Sequence, residues 1–282
     1  MEPSPLIQID EFQSLLAGPR ISRPVVLDVR FRLGVSTGRK NFEEAHVPGA
    51  SYVDMNTELA TIRADGAGGR HPMPPVETFT AAMRSAGVTH SRPVVAYDGW
   101  SSLPASRVWW MLRHLGFTDV RVLDGGMAVW TAAGHPTESG HSTPTAGDFT
   151  PSGPGIGRLL DAADAKRYAA RRQLLDARPA DRFRGQNETI DAVGGHIPGG
   201  ISAPALVNVD LGGRFLPAGA LATRFRALGV AEAKRVGTYC GSGIQATHLA
   251  LALSVAGITD DADVYMGSWS DWITDPERLV EV

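Results

Sequence analysis

The stretch Val236-Gly237-Thr238-Tyr239-Cys240-Gly241-Ser242-Gly243-Ile244-Gln245-Ala246 decides how this chain is read. Val236 to Tyr239 is a short apolar run that ends at Cys240, as a buried parallel strand does. Beyond the glycines, Thr247 to Ala256, with Leu249, Leu251, Ala252 and Leu253, reads as a helix. Strand, glycine loop and helix place Cys240 at the carboxyl end of a parallel strand, where open α/β sheets hold their ligands. The glycines let the loop curl so that the backbone N–H groups from Gly241 to Ala246 can converge on one atom, and the helix dipole adds to that positive field. The thiolate is the reactive form of cysteine; a free thiol titrates near ~8.5, and electropositive loops bring it to about 3.5–7.5. A lone cysteine is otherwise a small core hydrophobe, and the Gly-x-Gly setting favours the nucleophile. Thiol phosphatases clamp their dianion with an arginine six residues after the cysteine, a place held here by Ala246, which argues against phosphoryl transfer.

Working outward, the chain repeats itself. Val25-Val26-Leu27-Asp28 is followed by His46-Val47-Pro48-Gly49, and Leu174-Leu175-Asp176 by His196-Ile197-Pro198-Gly199. Pro93 to Asp98 precedes a helical stretch, Asp124-Gly125-Gly126 and Trp130, while Arg235 to Cys240 precedes a helical stretch, Met266-Gly267-Ser268 and Trp272. Asp98 to Trp130 and Cys240 to Trp272 are both 32 residues, so the landmarks recur in order and in register, as a tandem duplication requires. The runs Val25 to Leu27, Val94 to Ala96 and Val120 to Leu123 read as buried parallel strands. Ser106 to Leu115 carries Val108, Met111, Leu112 and Leu115 on one helical face. Strands alternating with helices imply an α/β fold, each half a parallel sheet flanked by helices. Glu138 to Gly157, rich in Pro, Gly, Ser and Thr, reads as a linker. Pro-Gly favours a type II turn, and His46 and His196 beside those turns are expected to brace them. Trp109, Trp110 and Trp130 are expected in the core.

The totals narrow the class. A chain of 282 residues with 43% hydrophobic content suits two soluble domains, and a net charge of −3 with no basic block argues against a nucleic-acid binder. Neither a leader at Met1-Glu2-Pro3-Ser4-Pro5 nor an apolar run long enough for a membrane helix is visible, and one cysteine excludes an internal disulfide and a multi-thiolate metal site. A reducing cytoplasm is the expected compartment.

These residues together resemble the tandem rhodanese-type sulfurtransferases over nearly the whole length: Asp28 and Asp176, the two His-x-Pro-Gly turns, the Cys240 loop, and Gly267-Ser268 with Trp272. The resemblance implies a rhodanese-like domain over 1–140 without a catalytic cysteine, a linker at 141–157, and a catalytic rhodanese-like domain over 158–282. Asp98 holds in the first copy the place of Cys240. The loop is similar to that of 3-mercaptopyruvate sulfurtransferases, usually Cys-Gly-Ser-Gly-Val-Thr-Ala, with Gln245 standing for the threonine. Thiosulfate-preferring members carry basic residues after the cysteine; Gly241 and Ser242 here favour a monocarboxylate donor. Arg182 matches the arginine that binds the donor's carboxylate, whereas a second arginine usual in a Pro-Arg-x-Gly stretch has no match among Glu188, Thr189, Ile190 and Asp191. Ser242 and His71 match the serine and histidine of a proton relay, the N-terminal half thereby contributing His71 to the cleft. The relay's acid aligns with Asn56, with Asp54 two residues earlier as the alternative acid, and an asparagine orients a neutral imidazole without stabilising an imidazolium.

The expected activity is a ping-pong transfer of sulfur from 3-mercaptopyruvate through a Cys240 persulfide to a thiol, thioredoxin or cyanide. Catalysis is expected from Cys240, Ser242 and His71, and donor binding from Arg182 with Gly241, Gly243, Ile244, Gln245 and Ala246. No metal, organic cofactor, nucleic acid or membrane is expected to take part. The alternatives are thiosulfate as donor with the same cysteine, and a non-catalytic persulfide carrier or binding module.

Overall fold

Apolar runs of two to four residues cannot bury themselves, and in the computed structural model they pair side by side into two parallel sheets. The structure describes residues 4–230 and 235–282; Met1 to Pro3, on which the leader reading partly rests, lie outside them. The chain forms two units, one made of Met1–Leu59, Pro74–Gly155 and Asp210–Phe215, the other of Ala60–Met73, Ile156–Val209 and Leu216–Val282. Each unit therefore incorporates a short piece of the other's stretch of sequence.

In the first unit, β1 (Leu6–Ile7), β2 (Val25–Asp28), β3 (Ser51–Tyr52), β4 (Val94–Tyr97) and β5 (Val120–Leu123) form a sheet of order β1-β5-β4-β2-β3. Its helices are α1 (Ile9–Ala17), α2 (Gly38–Glu44), α3 (Val76–Ser85), α4 (Leu103–His114) and α5 (Gly126–Ala132). In the second unit, β6 (Leu174–Asp176), β7 (Ile201–Ser202), β8 (Gly237–Tyr239) and β9 (Asp263–Val264) take the order β7-β6-β8-β9. A parallel bridge from Leu159 to Val264 stands where β1 lies against β5. The helices here are α6 (Ala162–Ala170), α7 (Ala180–Phe183), α8 (Ala218–Ala227), α9 (Ile244–Val255) and α10 (Ser268–Trp272).

The duplication extends to single hydrogen bonds. Asp28 pairs with Arg30, whose Nη2 donates to the Ala45 carbonyl; Asp176 pairs with Arg178, whose Nη2 donates to the Gly195 carbonyl. The Tyr97 hydroxyl accepts from Val47 N–H and the Tyr239 hydroxyl from Ile197 N–H, at 3.1 and 3.2 Å. His46 stacks on Phe42 and its Nδ1 lies 2.7 Å from the Phe42 carbonyl; His196 stacks on Phe183 with Nδ1 2.8 Å from the Phe183 carbonyl. Both histidines thus tie the residue before the Pro-Gly turn to the preceding helix. Trp130 and Trp272 donate to the carbonyls of Pro136 and Leu279. Each unit has its own core, Phe12, Val26, Phe42, Val95 and Trp130 in the first, and Leu174, Ile197, Tyr239, Tyr265 and Trp269 in the second. Trp109 and Trp110 are buried as well.

The proline- and glycine-rich stretch read as a linker is irregular but not loose. Its residues up to Gly155 pack with the first unit, where buried Phe149 meets Phe79 and Phe117 edge-on. Gly155 is required there: a Cβ would stand 1.6 Å from the Arg113 carbonyl oxygen.

Candidate active site

Cys240 follows directly on β8, and α9 begins at Ile244. Gly243 makes the turn between them with φ +85°, a conformation that L side chains avoid. The Sγ atom is 2% exposed with the rest of its residue and accepts from Ser242 N–H at 3.4 Å and Gly243 N–H at 3.1 Å. Of the wider set expected from Gly241 to Ala246, these two reach the sulfur, because the thiol is too short to meet donors deeper in the helix. Ser268, outside the residues singled out from sequence, completes the surroundings. Its Oγ accepts Cys240 N–H at 3.0 Å, donates to the Tyr265 carbonyl at 2.8 Å and lies 3.9 Å from Sγ. Ser268 holds φ +55°, while Gly126, its counterpart 28 residues after Asp98, holds +57°. A serine kept in a glycine conformation is a detectable signal in structure and a silent one in sequence.

The first unit contains a corresponding loop, one residue longer before its helix, with a carboxylate in it. Asp98 Oδ1 accepts from Trp100 N–H at 2.7 Å and Ser102 N–H at 3.1 Å, and Oδ2 from Ala105 N–H at 2.8 Å. Ser102 and Gly243 are the cap residues of α4 and α9, so Ala105 corresponds to Ala246 counted along the helices. Side chains one atom longer than a thiol therefore reach the third donor. Burial pushes the Asp98 carboxyl up to about 6, against the pull of its three N–H donors. An acid raised in the folded state favours folding while protonated; that contribution is complete below about pH 4 and is lost as pH rises through about 6. Asp98→Asn should remove this slope, so the stability difference between variant and parent should move in the variant's favour by about 3 kcal/mol from pH 4 to 7. Denaturant unfolding across that range measures it, and a pH-independent difference would contradict it.

His71, early in the sequence, packs with the second unit as part of Ala60–Met73. Gly68 N–H donates to Asp271 Oδ1 and Arg70 N–H to Ser270 Oγ, each at 3.0 Å. Gly69 closes the approach at φ +80°, where a Cβ would be 2.4 Å from the Gly267 carbonyl oxygen. So held, buried His71 places Nδ1 3.0 Å from Ser242 Oγ. Asp54 commits Oδ1 to its own turn, accepting from Asn56 N–H, Thr57 N–H and the Thr57 hydroxyl, and Asn56 is exposed there.

Two guanidiniums flank Gly241. A Cβ at that position would stand 3.0 Å from Arg70 Nη2 and 3.8 Å from Arg182 Nη1. Sequence reading named Arg182 and passed over Arg70, whose only hint was its neighbour His71. Arg182 is held by Glu188, with Nε 2.9 Å from Oε2 and Nη2 2.8 Å from Oε1, and by Asp191 at 2.9 Å; Arg70 also pairs with Asp191. The loop is neutral in its own side chains, yet the fold brings cations and their counterions to it. Gln245 is half-buried and Ile244 buried on the first turn of α9. Among the described residues no group of His, Cys, Asp and Glu could hold a metal ion. No helix there is long and apolar enough to cross a membrane.

The family described as the Rhodanese-like domain matches residues 8–133 and again 158–275. A "Probable 3-mercaptopyruvate sulfurtransferase" of Pseudomonas aeruginosa is 41% identical over 268 residues, covering 93% of this chain and 94% of its own. A "Putative thiosulfate sulfurtransferase SseB" of Mycobacterium tuberculosis is 40% identical over 257 residues, covering 90% and 89%. The crystal structure of SseA from Escherichia coli, which carries the rhodanese fold of 3-mercaptopyruvate sulfotransferases, superposes with a TM-score of 0.80 at 28% identity, covering 95% of this chain and 100% of that one.

Proposed function

Because the chain belongs to the rhodanese family and is a tandem sulfurtransferase, we propose that it takes sulfur from 3-mercaptopyruvate as a persulfide on Cys240 and passes it to a thiol, thioredoxin or cyanide. The observation that carries this reading is the His71 Nδ1 to Ser242 Oγ contact of 3.0 Å, two residues from the sulfur. The two donors differ in whether a proton must move. With thiosulfate, the Cys240 thiolate attacks the sulfane sulfur, the S–S bond breaks, and sulfite leaves with the electron pair and no proton transfer. With 3-mercaptopyruvate, attack on the thiol sulfur breaks the C–S bond and leaves the electron pair on carbon. The resulting enolate takes up the proton that the thiol gives up, yielding pyruvate and the persulfide anion. A hydroxyl and an imidazole in contact, beside the reacting sulfur, can carry that proton.

The donor's acid group is placed at Arg182 and Arg70, facing Gly241, and the nascent persulfide in the loop. Sγ takes the N–H groups of Ser242 and Gly243, and the outer sulfur, one atom farther out, takes that of Ala246, as the Asp98 carboxylate takes Ala105 N–H in the sister loop. An acceptor thiolate or cyanide then attacks the outer sulfur and restores the Cys240 thiolate. A reducing cytoplasm fits an enzyme whose single cysteine works as a thiolate.

Thiosulfate is the second reading, favoured by two guanidiniums beside Gly241. Steady-state kinetics with both donors separate the two. A kcat/KM at least tenfold higher for 3-mercaptopyruvate, about 1.4 kcal/mol of transition-state preference, is expected. A thiosulfate preference of that size would reverse the assignment.

A further inference from the structure

The charge around Gly241 comes in fixed, opposed pairs. Arg70, Arg178 and Arg182 stand against Asp176, Glu188 and Asp191. Glu188 is fastened from two sides: Oε1 accepts from Ile190 N–H at 3.0 Å and Asp191 N–H at 2.9 Å while also meeting Arg182. Burial works to raise its pKa, but Arg182 and these N–H groups outweigh it and hold the carboxyl below its ordinary value. The Asp191 side chain is 2% exposed and is shared by Arg70 and Arg182. Neither carboxylate can swing into solvent to make way for a donor without abandoning these bonds.

The pairing leaves recognition intact while cancelling charge. Arg182 gives Nε and Nη2 to the two carboxylates, and Nη1, the atom nearer Gly241, is bound by neither. Arg70 meets Asp191 through Nη1 and, at 3.4 Å, through Nη2, the atom 3.0 Å from a Gly241 Cβ. A planar carboxylate would find directed N–H donors there but no surplus positive field. A dianion placed at the same donors would bring a second negative charge near two fixed carboxylates, where like charges at close range are strongly unfavourable in a partly buried site.

We propose that Glu188 and Asp191 are specificity-determining residues that reject dianionic donors, leaving Arg70 and Arg182 to recognise a singly charged, planar acid. This rests on Cys240 as sulfur acceptor with the donor's acid group at Arg182. The test is steady-state kinetics of Glu188→Gln, Asp191→Asn and the double variant with 3-mercaptopyruvate and thiosulfate, at low and high ionic strength. Each single variant should raise kcat/KM for thiosulfate about tenfold, mostly through KM, and change that for 3-mercaptopyruvate less than about threefold. The thiosulfate gain should shrink at high salt.

A thiosulfate-to-mercaptopyruvate ratio that stays fixed, or a loss of kcat for both donors together, would overturn the proposal in favour of a purely positioning role. That ratio is read within each protein, so a parent that prefers thiosulfate would refute the donor assignment and leave this test standing. Should the variants fold poorly, inhibition of the parent protein at constant ionic strength serves instead. Pyruvate should compete with the donor more strongly than sulfate, and the opposite order would overturn the proposal.

Discussion

Replacing Cys240 by serine should stop sulfur transfer from either donor, with kcat/KM falling by at least ~10^4-fold, or about 5.5 kcal/mol. The chain has no second thiol to substitute. A serine hydroxyl does not ionise near neutral pH and forms no persulfide, so the reaction loses its intermediate. The fold should tolerate the change, because the loop donors on Ser242 and Gly243 that meet Sγ can meet a hydroxyl oxygen as well. Unfolding midpoints close to the parent's would show that the loss is chemical. Mass spectrometry after incubation with donor should find one added sulfur on the parent and none on the variant. Retained activity in the serine variant would remove Cys240 from the mechanism.

His71→Asn should lower kcat with 3-mercaptopyruvate by about 10^2–10^3-fold, the range of a lost proton-transfer catalyst. The same variant should keep thiosulfate turnover within about threefold, because sulfite departs without a proton. Asparagine keeps a polar atom near Ser242 Oγ but cannot gain and lose a proton as imidazole does. Equal losses with both donors would mean that His71 supports the loop's shape, since His71, Gly69 and Arg70 lie on one docked segment.

Much of the fold was legible because two periodicities write it twice. Apolar runs at β2, β4, β5 and β8, the His-x-Pro-Gly turns and the equal spacing to Trp130 and Trp272 are local signals, and local signals survive in sequence. The same holds for Cys240, whose glycines and helix are contiguous with it. The arginine-carboxylate cluster was not legible in that way. Arg70 lies more than a hundred residues from Asp191, and their pairing depends on a segment crossing to the other unit. Glu188 and Asp191, read as places lacking an arginine, became intelligible once Arg182 was seen bound to both. The left-handed Ser268 was hidden because a backbone angle leaves no trace in composition.

The exchanged segments bear on the history of the gene. Residues 60–73 are written with the first repeat and fold with the second, and residues 210–215 do the reverse. A recombination within the stretch between the repeats would yield an offspring carrying Cys240, Ser242 and Arg182 but neither Arg70 nor His71. On the proposed mechanism, the repeat without a nucleophile still supplies two side chains to the reaction. Deletion, shuffling or fusion of one repeat alone would part Arg70 and His71 from Cys240, Ser242 and Arg182.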